Sequence, residues 1–273
     1  MTKPDGNAID AAFSRLQKEN RTALIPFLTV GDPDLATTVD IIKQLELAGA
    51  DMLELGVPYS DPLADGPVIQ RASQRALAQH VTIIDCLRTA GAARAAGVNI
   101  PFILFSYYNP VLQLGFARLF RYAAENGISG FIIPDLPPEE AGEMRRKAKE
   151  HGMHLIPLVA PTSKDRVQNI AANASGFVYC VSSLGVTGMR STFAADIEEF
   201  IGTVKSAALA PVAIGFGIST NEHFRRFAGI CDGVIVGSAI VRKIEEVLPL
   251  LSSAETRAAG LRQIGEFVAG LKA

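Results

Sequence analysis

Two carboxylates, Glu54 and Asp65, stand eleven residues apart in the stretch LELGVPYSDPLADGPVIQ, Leu53 to Gln70. On a period of two, Met52, Glu54 and Gly56 share one face of the apolar run Asp51 to Val57, and Leu53 and Leu55 take the other. A glutamate therefore falls on the interior face of a short strand. Desolvation there raises its pKa, which is how a carboxyl becomes an acid or base working near neutral pH. Asp65 follows Pro58 and Pro62 in a loop stiff enough to fold back over the strand end. Two carboxylates in unlike surroundings can divide acid and base work between them. A lone strand glutamate is as often a satisfied interior residue or an ion-pair member, so the rest of the chain must decide.

The elements that would position the pair repeat in one cadence. Ala8 to Glu19, with Ile9, Phe13 and Leu16 on one face, reads as a short amphipathic helix that caps a barrel floor. Strand and helix then alternate: Thr22 to Val30 with Leu35 to Ala48, and Met52 to Val57 with a helical tract from Pro67 to Ala96 broken near His80. Pro101 to Ser106 precedes Ala117 to Glu125, and Gly130 to Pro134 precedes Pro138 to His151. His154 to Val159 precedes Lys164 to Ala174, with Thr162 or Ser163 as N-cap. Gly176 to Val181 pairs with Ala195 to Ala207, Pro211 to Ile214 with Asn221 to Phe227, and Gly233 to Val236 with Ala239 to Leu250; Glu255 to Leu271 closes the series. Eight strand–helix units predict an α/β protein, a closed parallel (β/α)8 TIM barrel with an extra N-terminal helix, residues 1–273 forming one domain. A doubly wound sheet is the alternative, but no G-x-G-x-x-G or Walker pattern is present to open one.

The 273 residues carry a formal charge of −2, with 48% apolar and 20% charged residues, as expected of a soluble globular protein. No basic footprint points to nucleic acid. Cys86, Cys180 and Cys231 lack Cys-x-x-Cys spacing and read as reduced core thiols of a cytoplasmic protein. His151 and His154, without an acidic or thiol partner pattern, read as a helix-end surface pair, and no metal is expected. The stretch MTKPDGNAIDAAF has no apolar signal core, and the charge-poor tracts Ala95 to Ala117 and Val167 to Met189 are broken by polar residues, so no membrane span is expected.

In this fold chemistry sits beyond the C-terminal strand ends. Three such segments are glycine-rich: Gly185-Val-Thr-Gly188, Gly215-Phe-Gly217-Ile-Ser219 and Gly237-Ser238. Each glycine alone is an ordinary turn. At three successive strand ends they suit a phosphate, held by close backbone N–H groups and a helix N-terminus. The ligand expected is a phosphorylated small molecule with its reacting part near Glu54.

With LELGVPYSDPLADGP, PFLTVGDP, FIIPDLP, SSLGVTG, GFGIS and VGSAIV in one chain, the sequence resembles the tryptophan synthase alpha family along nearly its whole length. The resemblance implies a lyase that cleaves indole-3-glycerol phosphate to indole and glyceraldehyde 3-phosphate, without a cofactor of its own. It implies Glu54, Asp65 and Tyr179 at the reacting centre, and Phe27, Tyr107, Thr187 and Phe216 around the substrate. It also implies Gly188, Gly217, Gly237 and Ser238 at the phosphate. By the same resemblance Asp61 and Asn109 face a pyridoxal-phosphate beta subunit in an αββα assembly. Another phosphosugar barrel enzyme, a non-catalytic activator subunit and a free-standing indole lyase remain as alternatives on the residues alone.

Overall fold

A computed structural model describes residues 6–161, 163–181, 191–215 and 217–273, with side chains described from 197 onward in the helix that begins at Ser191. Nine strand segments are found among these residues: β1 (Ala23–Thr29), β2 (Leu53–Gly56), β3 (Phe102–Phe105), β4 (Ile128–Ile132), β5 (His154–Leu155), β6 (Leu158–Val159), β7 (Val178–Val181), β8 (Val212–Gly215) and β9 (Gly233–Val236). Their order is β5-β4-β3-β2-β1-β9-β8-β7-β6, and every pairing is parallel. The end segments β5 and β6 are separated only by Ile156 and Pro157. The sheet therefore curls until its two ends meet within one stretch of chain.

The sequence places a single strand at His154 to Val159; the structure divides it. Ile156 donates its N–H to Phe131 on one side, and Pro157 offers its carbonyl to Tyr179 on the other. Proline has no N–H, so the ladder changes neighbour there.

The two faces of each strand bury different things. One core cluster fills the barrel, with Ile25, Met52, Ile103, Ile132, Phe177 and Ile235. Ile9, Phe13 and Leu16 of helix α1 (Ala8–Lys18) belong to the same cluster, so α1 plugs the floor as expected. Leu24, Leu28, Leu53 and Leu55 point the other way, into the larger layer beneath the outer helices. The alternation in the sequence LELG is thus the alternation between two cores.

Several helices depart from the expected bounds. A helix α5 (Tyr108–Leu114), absent from the sequence reading, precedes α6 (Phe116–Glu125). Pro110 reads as a breaker, yet it sits in the first turn, where its missing N–H is not needed. The tract from Pro67 to Ala96 is two helices, α3 (Pro67–Leu77) and α4 (Ile83–Ala95), split at His80, whose φ is 59°. Helix α7 (Gly142–Glu150) begins later than Pro138, because Glu140 N–H closes a turn on Pro137. Helix α8 (Lys164–Ala172) has Ser163 at its N-cap without a side-chain cap bond, and Thr162 lies outside the described residues. Helix α9 (Ser191–Ala207) starts four residues earlier than expected. The tract expected to follow β9 is α11 (Ser238–Glu246) and α12 (Leu248–Leu251), interrupted where Pro249 removes a donor. Helix α10 (Asn221–Ala228) and the closing α13 (Arg257–Lys272) match their expected places.

Candidate active site

Glu54 faces Phe27 on β1 and Ile103 on β3 in register, all on the interior side. It is 1% exposed, and its Oε1 has no hydrogen-bond partner among the described residues. Burial alone drives its pKa well above the ordinary carboxylate value. Burial thus favours the protonated form of this carboxyl.

Asp65 lies in the loop between β2 and α3 and is partly buried. Burial raises its pKa to about 6, opposed by a hydrogen bond from the Tyr107 hydroxyl. Tyr107, 2% exposed at the end of β3, also accepts the Ala64 N–H at 2.9 Å. That tyrosine fastens the loop as well as the acid. Burial pushes its own pKa up to about 12, so it remains a donor. Tyr59, which the sequence reading passed over, stacks on Tyr107 with ring centroids 4.9 Å apart. Glu54 and Asp65 thus hold protons over different ranges, as unlike surroundings require.

Two glycines make room for aromatic rings at the mouth. A Cβ on Gly215 would stand 2.6 Å from the Tyr179 hydroxyl, and one on Gly56 would collide with the Phe27 ring. Tyr179 on β7 keeps a partly exposed edge, while its hydroxyl is shut in; burial, with Glu54 nearby, holds its pKa far above 10. Phe27 meets Phe105 edge-on at 5.5 Å. Phe27 and Tyr179 thus stand close to the buried Glu54 carboxyl.

On the adjacent strands β8 and β9, Ala213 pairs with Gly233, and Gly217 and Gly237 follow four residues beyond each. Gly217 has φ 59° and is exposed. Gly237 is the N-cap of α11 with no side-chain cap bond, and Ser238 opens the helix, exposed. The N–H groups of Ser238 and Ala239 have no backbone partner among the described residues, and the helix dipole stands behind them. Gly188, Thr187 and Phe216 lie outside the described residues. Asp61 and Asn109 are both exposed, on the β2–α3 loop and on α5.

Other chemistry-bearing residues have structural partners. His154 Nε2 lies 2.9 Å from Asp10, and His151 stacks on Phe120 at 4.8 Å. The three cysteines are free and buried. Among the described residues no cluster of His, Cys, Asp or Glu is arranged to hold a metal, and no helix is long and apolar enough to cross a membrane. A surface groove of about 400 Å³ lies between α7 and α8, lined by Pro134, Leu155 and Val167 with Arg145 and Arg166, and none of the expected site residues lines it.

A parallel barrel with a buried acid on β2 and a helix opening at Ser238 just beyond β9 is the architecture of a (β/α)8 enzyme acting on a small anionic substrate. Residues 13–272 match the family model described as "Tryptophan synthase alpha chain". The chain is 51% identical over 254 residues to the tryptophan synthase alpha chain of Geobacillus thermodenitrificans, spanning 93% of this chain and 95% of that one. It is 52% identical to that of Bacillus subtilis, over 89% and 91%. Among solved structures, tryptophan synthase subunit alpha of Legionella pneumophila superposes with a TM-score of 0.87 at 36% identity, covering 97% of each chain. A tryptophan synthase structure from Mycobacterium tuberculosis gives 0.84 at 36%, over 98% of this chain and 100% of that one. The chain belongs to the tryptophan synthase alpha chain family. It is a lyase of tryptophan biosynthesis, cleaving indole-3-glycerol phosphate.

Proposed function

We propose that Glu54 and Asp65 perform this cleavage as a divided acid pair. Glu54 gives its proton to indole C3, and the ring nitrogen takes positive character. The Asp65 carboxylate accepts the ring N–H and stabilises that charge. Glu54, now basic, removes the proton from the glycerol hydroxyl next to the ring as the carbon–carbon bond breaks. The bonding electrons return to the ring, releasing indole and the aldehyde glyceraldehyde 3-phosphate. Glu54 has given one proton and taken one, and no oxidant, metal or cofactor enters. The observation that carries this reading is the 1% exposed carboxyl of Glu54, whose Oε1 has no hydrogen-bond partner among the described residues. A buried acid left without a partner costs stability unless a ligand uses it.

In this reading Phe27, Tyr179 and Phe216 pack around the indole, and Tyr107 fixes Asp65. Thr187 closes beside Asp65, and Gly188, Gly217, Gly237 and Ser238 hold the phosphate. Indole is apolar, so a partner that takes it directly suits the product. We assign that partner as a pyridoxal-phosphate beta subunit in an αββα assembly, met through the segments of Asp61 and Asn109. Leu63, 90% exposed, and Leu112, 54% exposed, lie on those same segments and supply apolar area for such a contact. The chain acts in the cytoplasm, as one domain. The test is indole release from indole-3-glycerol phosphate by the wild type and by Glu54→Gln, alone and with the beta subunit. Near wild-type turnover by a folded Glu54→Gln protein would refute the assignment.

A further inference from the structure

Two helices open at the two ends of the proposed substrate site. Helix α3 begins just after Asp65, at the ring end, and α11 begins at Ser238, at the phosphate end. They pack on each other in the same direction. Val68 and Ala72 of α3 meet Val241 of α11 around Phe27. Further along both helices, the Arg75 guanidinium donates to Glu245 at 2.8 Å. The same guanidinium forks onto Asp32 at 2.7 and 2.9 Å, and Arg71 forks onto Glu245 at 2.8 and 2.6 Å.

Asp32 belongs to the turn after β1 and is 3% exposed; burial raises its pKa even against Arg75. Glu245 is drawn down to about 2 by the two arginines. Half-exposed Arg71 adds little, since solvent screens it. The Arg75 fork is different, because planar bidentate contact to a buried carboxylate fixes direction as well as distance. None of these four residues lies in a barrel strand.

We infer that Asp32, Arg75 and Glu245 are positioning residues which set the span between the ring end and the phosphate end of the substrate. The inference rests on the assignment of those two ends made above. One guanidinium ties the turn after β1, the helix that follows Asp65 and the helix that starts at Ser238. A substrate held at both ends gains only if that span is fixed, because small misplacement wastes the second contact.

The test compares three ligands on the full chain: glycerol phosphate, indole, and a non-cleavable indole alkyl phosphate that reaches both ends. The chain has no tryptophan, so indole fluorescence reads the two indole ligands directly, and calorimetry reads glycerol phosphate. In Arg75→Lys, which keeps the charge and loses the fork, the two-ended ligand is expected to weaken about tenfold. Each one-ended ligand should change less than twofold, and kcat for cleavage should fall about tenfold. Glu245→Gln, partly exposed and isosteric, should show the same pattern at about threefold and serves if Arg75→Lys folds poorly. Equal weakening of all three ligands, or no change in any, would overturn the proposal. If instead the wild type binds neither one-ended ligand, the assignment of the two ends fails, and the inference falls with it.

Discussion

Asp51 and Glu54 lie three residues apart along one strand run, and both are buried, at 4% and 1% exposure. At the barrel foot Asp51 is fully engaged. It accepts the Leu24 N–H at 2.9 Å, takes Lys272 from the closing helix, and has Arg21 at 3.4 Å and Arg15 at 3.8 Å. At the mouth Glu54 has an oxygen with no hydrogen-bond partner among the described residues. The same short run of chain thus carries one acid whose charge is answered by cations and one whose charge is disfavoured by dryness. The first fastens α1, β1 and α13 to the floor; the second is left for a substrate to use. Partners, more than burial, separate a structural carboxylate from a chemical one.

The contrast breaks most sharply at Glu54. Glu54→Gln should lower kcat by about 10³-fold or more, within the span of general acid–base catalysis. It should leave the fold at least as stable at pH 7. The raised pKa means the folded state keeps a proton the unfolded state has released. Stability from this group is therefore full below the unfolded value and falls as pH rises from there through the folded one, so at pH 7 the acid is a cost that Gln does not carry. Thermal melts across pH check the sign. Asp51→Ala should do the reverse, costing about 3 kcal/mol of stability, as expected when a buried charge partner is removed. Its kcat per folded molecule should stay within twofold, measured by denaturant unfolding alongside the cleavage assay.

Two smaller changes sharpen the division within the mouth. Asp65→Asn should lower kcat by about 10²-fold, the usual loss when a charge-stabilising group is removed. It should also abolish the acid limb near pH 6 in the kcat/KM profile, since Asp65 must be ionised to accept the ring N–H. An unchanged limb would assign it elsewhere. Tyr107→Phe removes the hydroxyl that favours the Asp65 anion, so that limb should move to higher pH. At pH 8 the rate should change less than threefold.

Glu54 was legible because a period of two in LELG allows only one face for it, and a barrel has only one wet end for Asp65 to cover. The floor helix was legible from Ile9, Phe13 and Leu16 alone. Strand five was not, because the switch of neighbours at Pro157 depends on strands far away in sequence. Helix α5 was hidden by Pro110, whose effect changes sign with its position in a turn. The Asp32–Arg75–Glu245 clamp joins residues 43 and 170 positions apart, and no local pattern marks such partners. Tyr59 offered only a loop aromatic as its signal.

The central claim is that the Glu54 carboxyl is protonated at neutral pH in the resting protein. Infrared difference spectra between wild type and Glu54→Gln, recorded from pH 5 to 9, test it directly. A protonated carboxyl band present in the wild type at pH 7 and absent from the variant is the result expected. A carboxylate band at pH 7, titrating in the ordinary glutamate range, would contradict the account.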